Sequence, residues 1–402
     1  MYMQAAISEI CIEQLQDRWL NLPKIDKYVF REAYEYSISK VRENLPEFTY
    51  AFPSVSAPGG KYSKIPNLQW TTGFWPGMVW LAYAMTGDKD FYKVGKIQSI
   101  LFKERLETDS HMQHHDIGFL YSLSAVADYK LTDDKNAYAT AVGAAERLTQ
   151  MYQKNPGIIQ RGGDMNDIND NLTGVFIIDC MNNVPLLFWA HEQTGNDYFY
   201  EVAYNHMRNS VASIIKEDGR VVQHGIADII TGEIVSDSSQ SQGKGGDDAA
   251  WGRGQAWAIS GLPITYAYTK DEQFLQAAKA ATFYFLNRMP SDLVSNWDLY
   301  YTDDETQRDT SASAIAVCGM LELVKHLDDY DPDKEIIENA AMNILLSLTE
   351  NYLTKGEPEN MGLLNAGVYG FGWKGVNEPN IWGDYYYMEA LFRILGDYQS
   401  FW

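Results

Sequence analysis

The run Trp75-Pro76-Gly77-Met78-Val79-Trp80-Leu81-Ala82-Tyr83, followed by Thr86-Gly87-Asp88-Lys89-Asp90, decides the fold. The first segment is apolar on every side, so as a helix it must be buried all round. Gly after a helix and Asp before the next are stop and start signals. The same punctuation returns at Thr132-Asp133-Asp134, Thr194-Gly195-Asn196-Asp197 and Thr269-Lys270-Asp271, and more loosely at Asp328-Asp329-Tyr330-Asp331-Pro332. Downstream of the turns the segments are mixed and charged, as in residues 137–148, which suits a helix that covers a buried one. Six such inner and outer pairs, at roughly 65 residues each, fill the chain as an all-α (α/α)6 barrel. A linear solenoid is the alternative, and the lack of a tight sequence period favours the closed ring. No interdomain linker is visible, so residues 1–402 are expected to form one domain.

With 46% apolar and 13% aromatic residues, the chain has ample material for a core. Its 11 Trp and 27 Tyr suit either large core residues or sugar-stacking rings. The net charge of −22 argues against nucleic acid and against an anionic membrane surface. An anionic ligand would need a local basic group, which makes any Arg or His near a cleft informative. The three cysteines, Cys11, Cys180 and Cys318, form no CxxC pair, so neither a zinc knuckle nor a disulfide framework is indicated. Met1-Tyr2-Met3-Gln4 lacks the basic-then-apolar pattern of a signal peptide, and no long apolar span follows, so no signal peptide and a cytoplasmic protein are expected. Without secretion, the sequon Asn171-Leu172-Thr173 is a chance match.

Two acids stand in apolar frames. Asp116 lies in Gln113-His114-His115-Asp116-Ile117-Gly118-Phe119, and Asp179 in Ile177-Ile178-Asp179-Cys180-Met181. Partial burial raises a carboxyl pKa and makes a general acid; the plainer reading is a helix cap or a buried structural Asp. His111, His114 and His115 could share a helix face as metal ligands, but no HExxH or Cys/His spacing supports this, and no metal or cofactor is expected. In Trp251-Gly252-Arg253-Gly254-Gln255-Ala256-Trp257, Arg253 and Trp257 are four apart, on one helical face. An Arg fork beside a ring suits a sugar carboxylate, and an Arg stem packed on Trp is the alternative. Gly370-Phe371-Gly372-Trp373-Lys374-Gly375 matches GxGxxG without a surrounding strand–helix unit, so it reads as an irregular loop. Residues 160–171 and 236–248 are long, polar connections of the functional kind. Residues 221–234 read as a small hairpin.

Taken in order, several stretches resemble the unsaturated glucuronyl hydrolases of glycoside hydrolase family 88. They are Trp70-Thr71-Thr72-Gly73-Phe74-Trp75, His114 to Ser124, Ile177-Ile178-Asp179-Cys180, Arg253-Gly254-Gln255-Ala256-Trp257, Arg308 to Ala314 and Ile381 to Tyr387. The resemblance implies an (α/α)6 barrel that acts on small unsaturated oligosaccharides, the products of glycosaminoglycan lyases. It implies hydration of the C4=C5 vinyl ether, with Asp179 protonating C4 and helping deliver water to C5, and Asp116 in support. His115 would line the site, Trp70 and Trp257 would offer ring platforms, and His224, Gln242 and Arg253 would surround the uronate. Lys374 is the one residue left of a sulfate-gripping Ser-x-x-Ser-x-Lys element, whose serines correspond here to Tyr369 and Gly372. Family members commonly place Trp after Ile-Ile-Gln, whereas Ile158-Ile159-Gln160 is followed here by Arg161. Rival readings are an unsaturated rhamnogalacturonyl hydrolase, a sugar 2-epimerase working through histidines on the same fold, and a non-catalytic sugar-binding relative.

Overall fold

The helix boundaries carry the capping chemistry that their residues suggest. Gly87, Asp133, Gly195 and Lys270 close their helices in the left-handed conformation, with φ of 68°, 56°, 69° and 55°. Asp88, Asp134, Asn196, Asp271 and Asp331 then accept the backbone N–H two residues on, opening the next helix. Each such cap contributes about 1 kcal/mol and fixes where the chain reverses.

A computed structural model of the chain describes residues 10–237, 242–243, 248–370, 372 and 374–402; the side chains of Ser236, Asp237 and Lys374 lie outside the described set. Among the described residues, six helical runs form an inner ring. They are Phe74–Thr86; Ile117–Tyr121 continued through a π turn, Ser122–Val126, into Ala127–Thr132; Cys180–Asn183 with Pro185–Thr194; Gly252–Thr269; Thr310–Leu323; and Ile381–Leu395. Each packs on the next, and Ile381–Leu395 packs back on Phe74–Thr86, so the ring closes and a linear solenoid is excluded. Five outer helices follow the first five inner runs: Lys89–Glu107, Lys135–Thr149, Asp197–Ile214, Glu272–Asn287 and Pro332–Asn351. The sixth outer position is taken by Arg31–Phe48, which reaches across from early in the chain to cover Ile381–Leu395.

Aromatic rings fill the barrel interior. Phe119 stands 5.3 Å from Phe74 and 5.2 Å from Trp257, and Trp402 stacks on Tyr386 at 5.9 Å. The inner helices all begin at one end: Trp70 stacks on Trp382, Arg253 lies over Trp382 and beside Asp309, and the backbone N–H of Phe119 bonds Asn183. Helix N-termini carry partial positive charge, so this end offers an anion a favourable field inside a strongly acidic protein.

Short strands decorate the same end. Val175–Ile177, His224–Ala227 and Ile234–Asp237 form an antiparallel sheet, which realises the hairpin expected over 221–234 with its first strand starting at His224. Gly367–Gly370 pairs antiparallel with Lys374–Glu378, so the GxGxxG match joins two strands and opens no helix. Among the described residues no helix is long and apolar enough to cross a membrane.

Candidate active site

Asp116 and Asp179 meet because each ends a loop at the start of an inner helix. Asp116 precedes Ile117–Tyr121 and Asp179 precedes Cys180–Asn183, and neither side chain caps its own helix. Asn183 ties the two starts together. Its Oδ1 accepts the N–H of Phe119 at 2.7 Å, and its Nδ2 donates to the carbonyl of Asp179 at 3.2 Å. The approach is possible because residue 118 has no side chain: a Cβ there would stand 2.1 Å from the Asn183 Cα. Gly118→Ala must therefore part the two helix starts. We expect it to cost about 3 kcal/mol or more of stability, read as a lower midpoint in urea unfolding, with a disproportionate loss of activity.

His115 stands between the two acids. Its Nε2 lies 3.4 Å from Asp116 Oδ1 and 3.5 Å from Asp179 Oδ1. Burial pushes the His115 pKa down to about 4, so at neutral pH the ring is uncharged. Its backbone N–H donates to the Arg161 carbonyl at 3.1 Å, which fixes the histidine against the strand leading to Arg161. His114 holds the other side: its Nε2 donates to the His111 carbonyl at 2.8 Å, and its Nδ1 lies 3.3 Å from Asp116 Oδ2.

The two carboxyl groups are driven in opposite directions. Burial raises the Asp179 pKa well above the ordinary range, and the nearby negative charge of Asp116 raises it further. Arg161 and Arg253 offset only part of this. Burial would also raise Asp116, but His115, His114 and a hydrogen bond from Asn183 outweigh it and hold Asp116 below the ordinary value. One acid is biased toward holding its proton and its neighbour toward ionisation, the division of labour that acid–base chemistry needs. His115, Asp116 and Asp179 also offer three atoms within 4.8 Å of one another, a spacing that could bracket a cation. A ligand must be deprotonated, however, and a protonated Asp179 suits proton transfer better.

Asp116 opens onto a cleft of about 510 Å³ lined also by Trp70, His111, Gln113 and His114. Trp70 is half-buried and stacks on Trp382 with ring centres 5.4 Å apart, so it is a wall already braced from behind. His224 is buried on the strand beside Asp179, paired with Ile177. The backbone N–H of Gln242 donates to Gln223 Oε1 at 2.5 Å, and its own buried Oε1 has no partner among the described residues. The Lys374 side chain, like most of residues 238–247, lies outside the described residues.

Two expectations need correction. Trp257 is 1% exposed, with its ring packed on Phe119 and Tyr386, so it supports the site from below and offers no open platform. The Arg253 fork is already used: it donates to the carbonyls of Val368 and Tyr369 and faces Asp309 at 3.4 Å. The rings that sandwich it are Trp251 and Trp382, at 4.5 and 4.9 Å, so Arg253 acts as a fixed charge behind the site. The metal reading of His111, His114 and His115, set aside on their spacing, also lacks a shared helix face. They precede the helix at Ile117, and His111 is left-handed with φ of 52°, because the chain turns there to deliver Asp116.

Arg105 carries little signal in the sequence, yet it stitches the cleft walls together. Buried in the last turn of Lys89–Glu107, it donates to the carbonyls of Gln69, Ser110 and His111 at 3.1, 3.2 and 2.9 Å. Its only sequence signal is an Arg on the inward face of an outer helix. Asn183 left no signal at all.

Comparison with known proteins agrees with this geometry. The family model for Glycosyl Hydrolase Family 88 matches residues 51–394. An unsaturated chondroitin disaccharide hydrolase from Streptococcus pyogenes serotype M1 is 40% identical over 373 residues, which is 92% of each chain. A crystal structure of unsaturated glucuronyl hydrolase from Streptococcus agalactiae superposes with a TM-score of 0.93 at 37% identity, covering 99% of this chain and 100% of that one. An Asp-to-Asn mutant of the same enzyme, complexed with dGlcA-GalNAc6S, superposes with a TM-score of 0.87 at 36% identity, again covering 99% and 100%. With the ring of helices, the paired acids and a family match over most of the sequence in agreement, the chain belongs to glycosyl hydrolase family 88.

Proposed function

We propose that this chain, acting as one catalytic domain, releases 4,5-unsaturated glucuronic acid from the non-reducing end of glycosaminoglycan lyase products such as unsaturated chondroitin and hyaluronan disaccharides. The observation that carries the reading is the split carboxyl pair: Asp179 held as the acid, Asp116 as the carboxylate, and neutral His115 between them. The named relatives act on this class of sugar.

The chemistry follows from the pair. The C4=C5 π electrons take the Asp179 proton at C4, and positive charge develops at C5 and the ring oxygen. The Asp116 carboxylate, close by and poorly solvated, stabilises that charge. Water adds at C5 and gives its proton to the Asp179 carboxylate, which restores the acid. The resulting hemiketal opens, and the hemiacetal left at C1 expels the second sugar. Bond cleavage is thus a consequence of hydration, and the rule linking carboxylate separation to retention or inversion does not apply. Trp70 serves as the ring platform, with His224 and Gln242 at the uronate. The scheme uses no cofactor. All three cysteines are free, and we place the enzyme in the cytoplasm, where thiols stay reduced.

The test is a panel of unsaturated disaccharides from chondroitin, hyaluronan and pectin, followed by the ultraviolet absorbance of the C=C bond. Loss of absorbance with the glycosaminoglycan sugars is the expected result. Turnover of the pectin sugar alone would move the assignment to the rhamnogalacturonyl reading. No loss with any sugar would reject the proposal.

A further inference from the structure

In a chain with 54 acidic residues, Arg161 makes no ion pair among the described residues. Its Nε is buried and has no hydrogen-bond partner there. Leaving a buried donor open is costly, so a native protein keeps one mainly where a ligand or ordered water fills it.

The backbone of Arg161 is pinned at the centre of the site. Its N–H donates to the Val175 carbonyl at 2.8 Å, on the strand that leads to Asp179. Its carbonyl accepts the N–H of His115, next to Asp116. The residue that follows, Gly162, bridges to His114. Arg161 is thus held by both segments that deliver the acids, and its charge acts on both Asp179 and His115. The loop beyond it does not neutralise the guanidinium, because its acids are committed to their own turns: Asp164 accepts the N–H of Asn166, Asp167 that of Asn169, and Asp170 that of Leu172.

An open guanidinium fork recognises planar or tetrahedral oxyanions. Every substrate of the proposed class carries the ring carboxylate, and a sulfate ester is the anion that varies between them. Resting on the proposed function, we infer that Arg161 is a specificity-determining residue that binds a sulfate ester on the substrate, either on the unsaturated ring or on the sugar beside it. The fork faces the sulfate oxygens, and a sulfated sugar is selected over its unsulfated counterpart.

The experiment measures kcat/KM for the wild type, Arg161→Gln and Arg161→Lys. The substrates are unsulfated chondroitin disaccharide and its analogues sulfated on the unsaturated ring or on the second sugar. The wild type is expected to favour at least one sulfated sugar, and the sulfated-to-unsulfated ratio is expected to fall about 10- to 100-fold in Arg161→Gln. Arg161→Lys, which keeps charge without the fork, should fall between. The analogue whose ratio falls locates the ester. Because the ratio is taken within one variant, a general folding defect or an effect through Asp179 cancels. Unchanged ratios for both sulfated sugars overturn the inference. So does an equal loss on all sugars with raised KM, which would place the ring carboxylate on Arg161. If the wild type turns over no unsaturated sugar, the proposed function fails as well, whereas normal turnover with unchanged ratios rejects only the role of Arg161.

Discussion

Asp179→Asn is expected to lower kcat/KM on an unsaturated glucuronyl disaccharide by on the order of 10³-fold or more, with the fold intact. Asparagine matches the shape of the protonated acid but has no proton to give. The same variant should be as stable as the wild type at neutral pH, or more so. In the folded protein Asp179 retains a proton that the unfolded chain gives up above the ordinary aspartate range. The folded state then binds more protons than the unfolded one, so stability falls as pH rises from the unfolded pKa to the raised folded one. Asn removes that loss. Thermal melts at neutral pH beside initial rates check both halves. A melting point that falls together with activity would mark Asp179 as structural; near-wild-type rates would reject it as the acid.

The second large effect is on the pH profile. On the proposed mechanism, activity requires Asp116 ionised and Asp179 protonated. The acid limb of kcat/KM should therefore lie below the ordinary aspartate range, and the basic limb well above it. Asp116→Asn removes a negative charge that helps hold the Asp179 proton, so the basic limb should move to lower pH. The rate at the optimum should fall about 10²-fold or more, because the charge developing at C5 loses its partner. His115, with its pKa pushed down to about 4, stays neutral over the working range and contributes no limb of its own near neutrality. A basic limb that stays in place in Asp116→Asn would show that the two carboxyl groups are not coupled as their contact with His115 implies.

Much of this molecule is legible in its sequence where the physics is local. An inner helix that is apolar all round, ended by a left-handed Gly87 and restarted by Asp88, needs only neighbours in the chain to be read. The acids stood out for the same reason, because a carboxylate between Ile178 and Cys180 is costly wherever it lies. What the sequence hid depends on which remote segment lies opposite. Gly118 matters only because the Asn183 backbone comes to it. The spacing of Arg253 and Trp257 suggests a pair, yet the rings on Arg253 are Trp251 and the remote Trp382. Helical spacing says which side chains share a face and nothing about which of them the ring of helices will bury. The π turn at Ser122–Val126 had no sequence signal, and neither did the recruitment of Arg31–Phe48 as the last outer helix.

On the proposed mechanism, Asp179 initiates hydration of the double bond and sugar release follows from it. The most direct measurement is turnover of an unsaturated disaccharide in D2O, sampled at early times by NMR. Loss of the vinylic C4 signal should keep pace with appearance of the free second sugar, and one deuterium should enter at C4 from a single face. Release of the second sugar with C4 still vinylic in the uronic acid product would show direct attack at the glycosidic bond and contradict the mechanism.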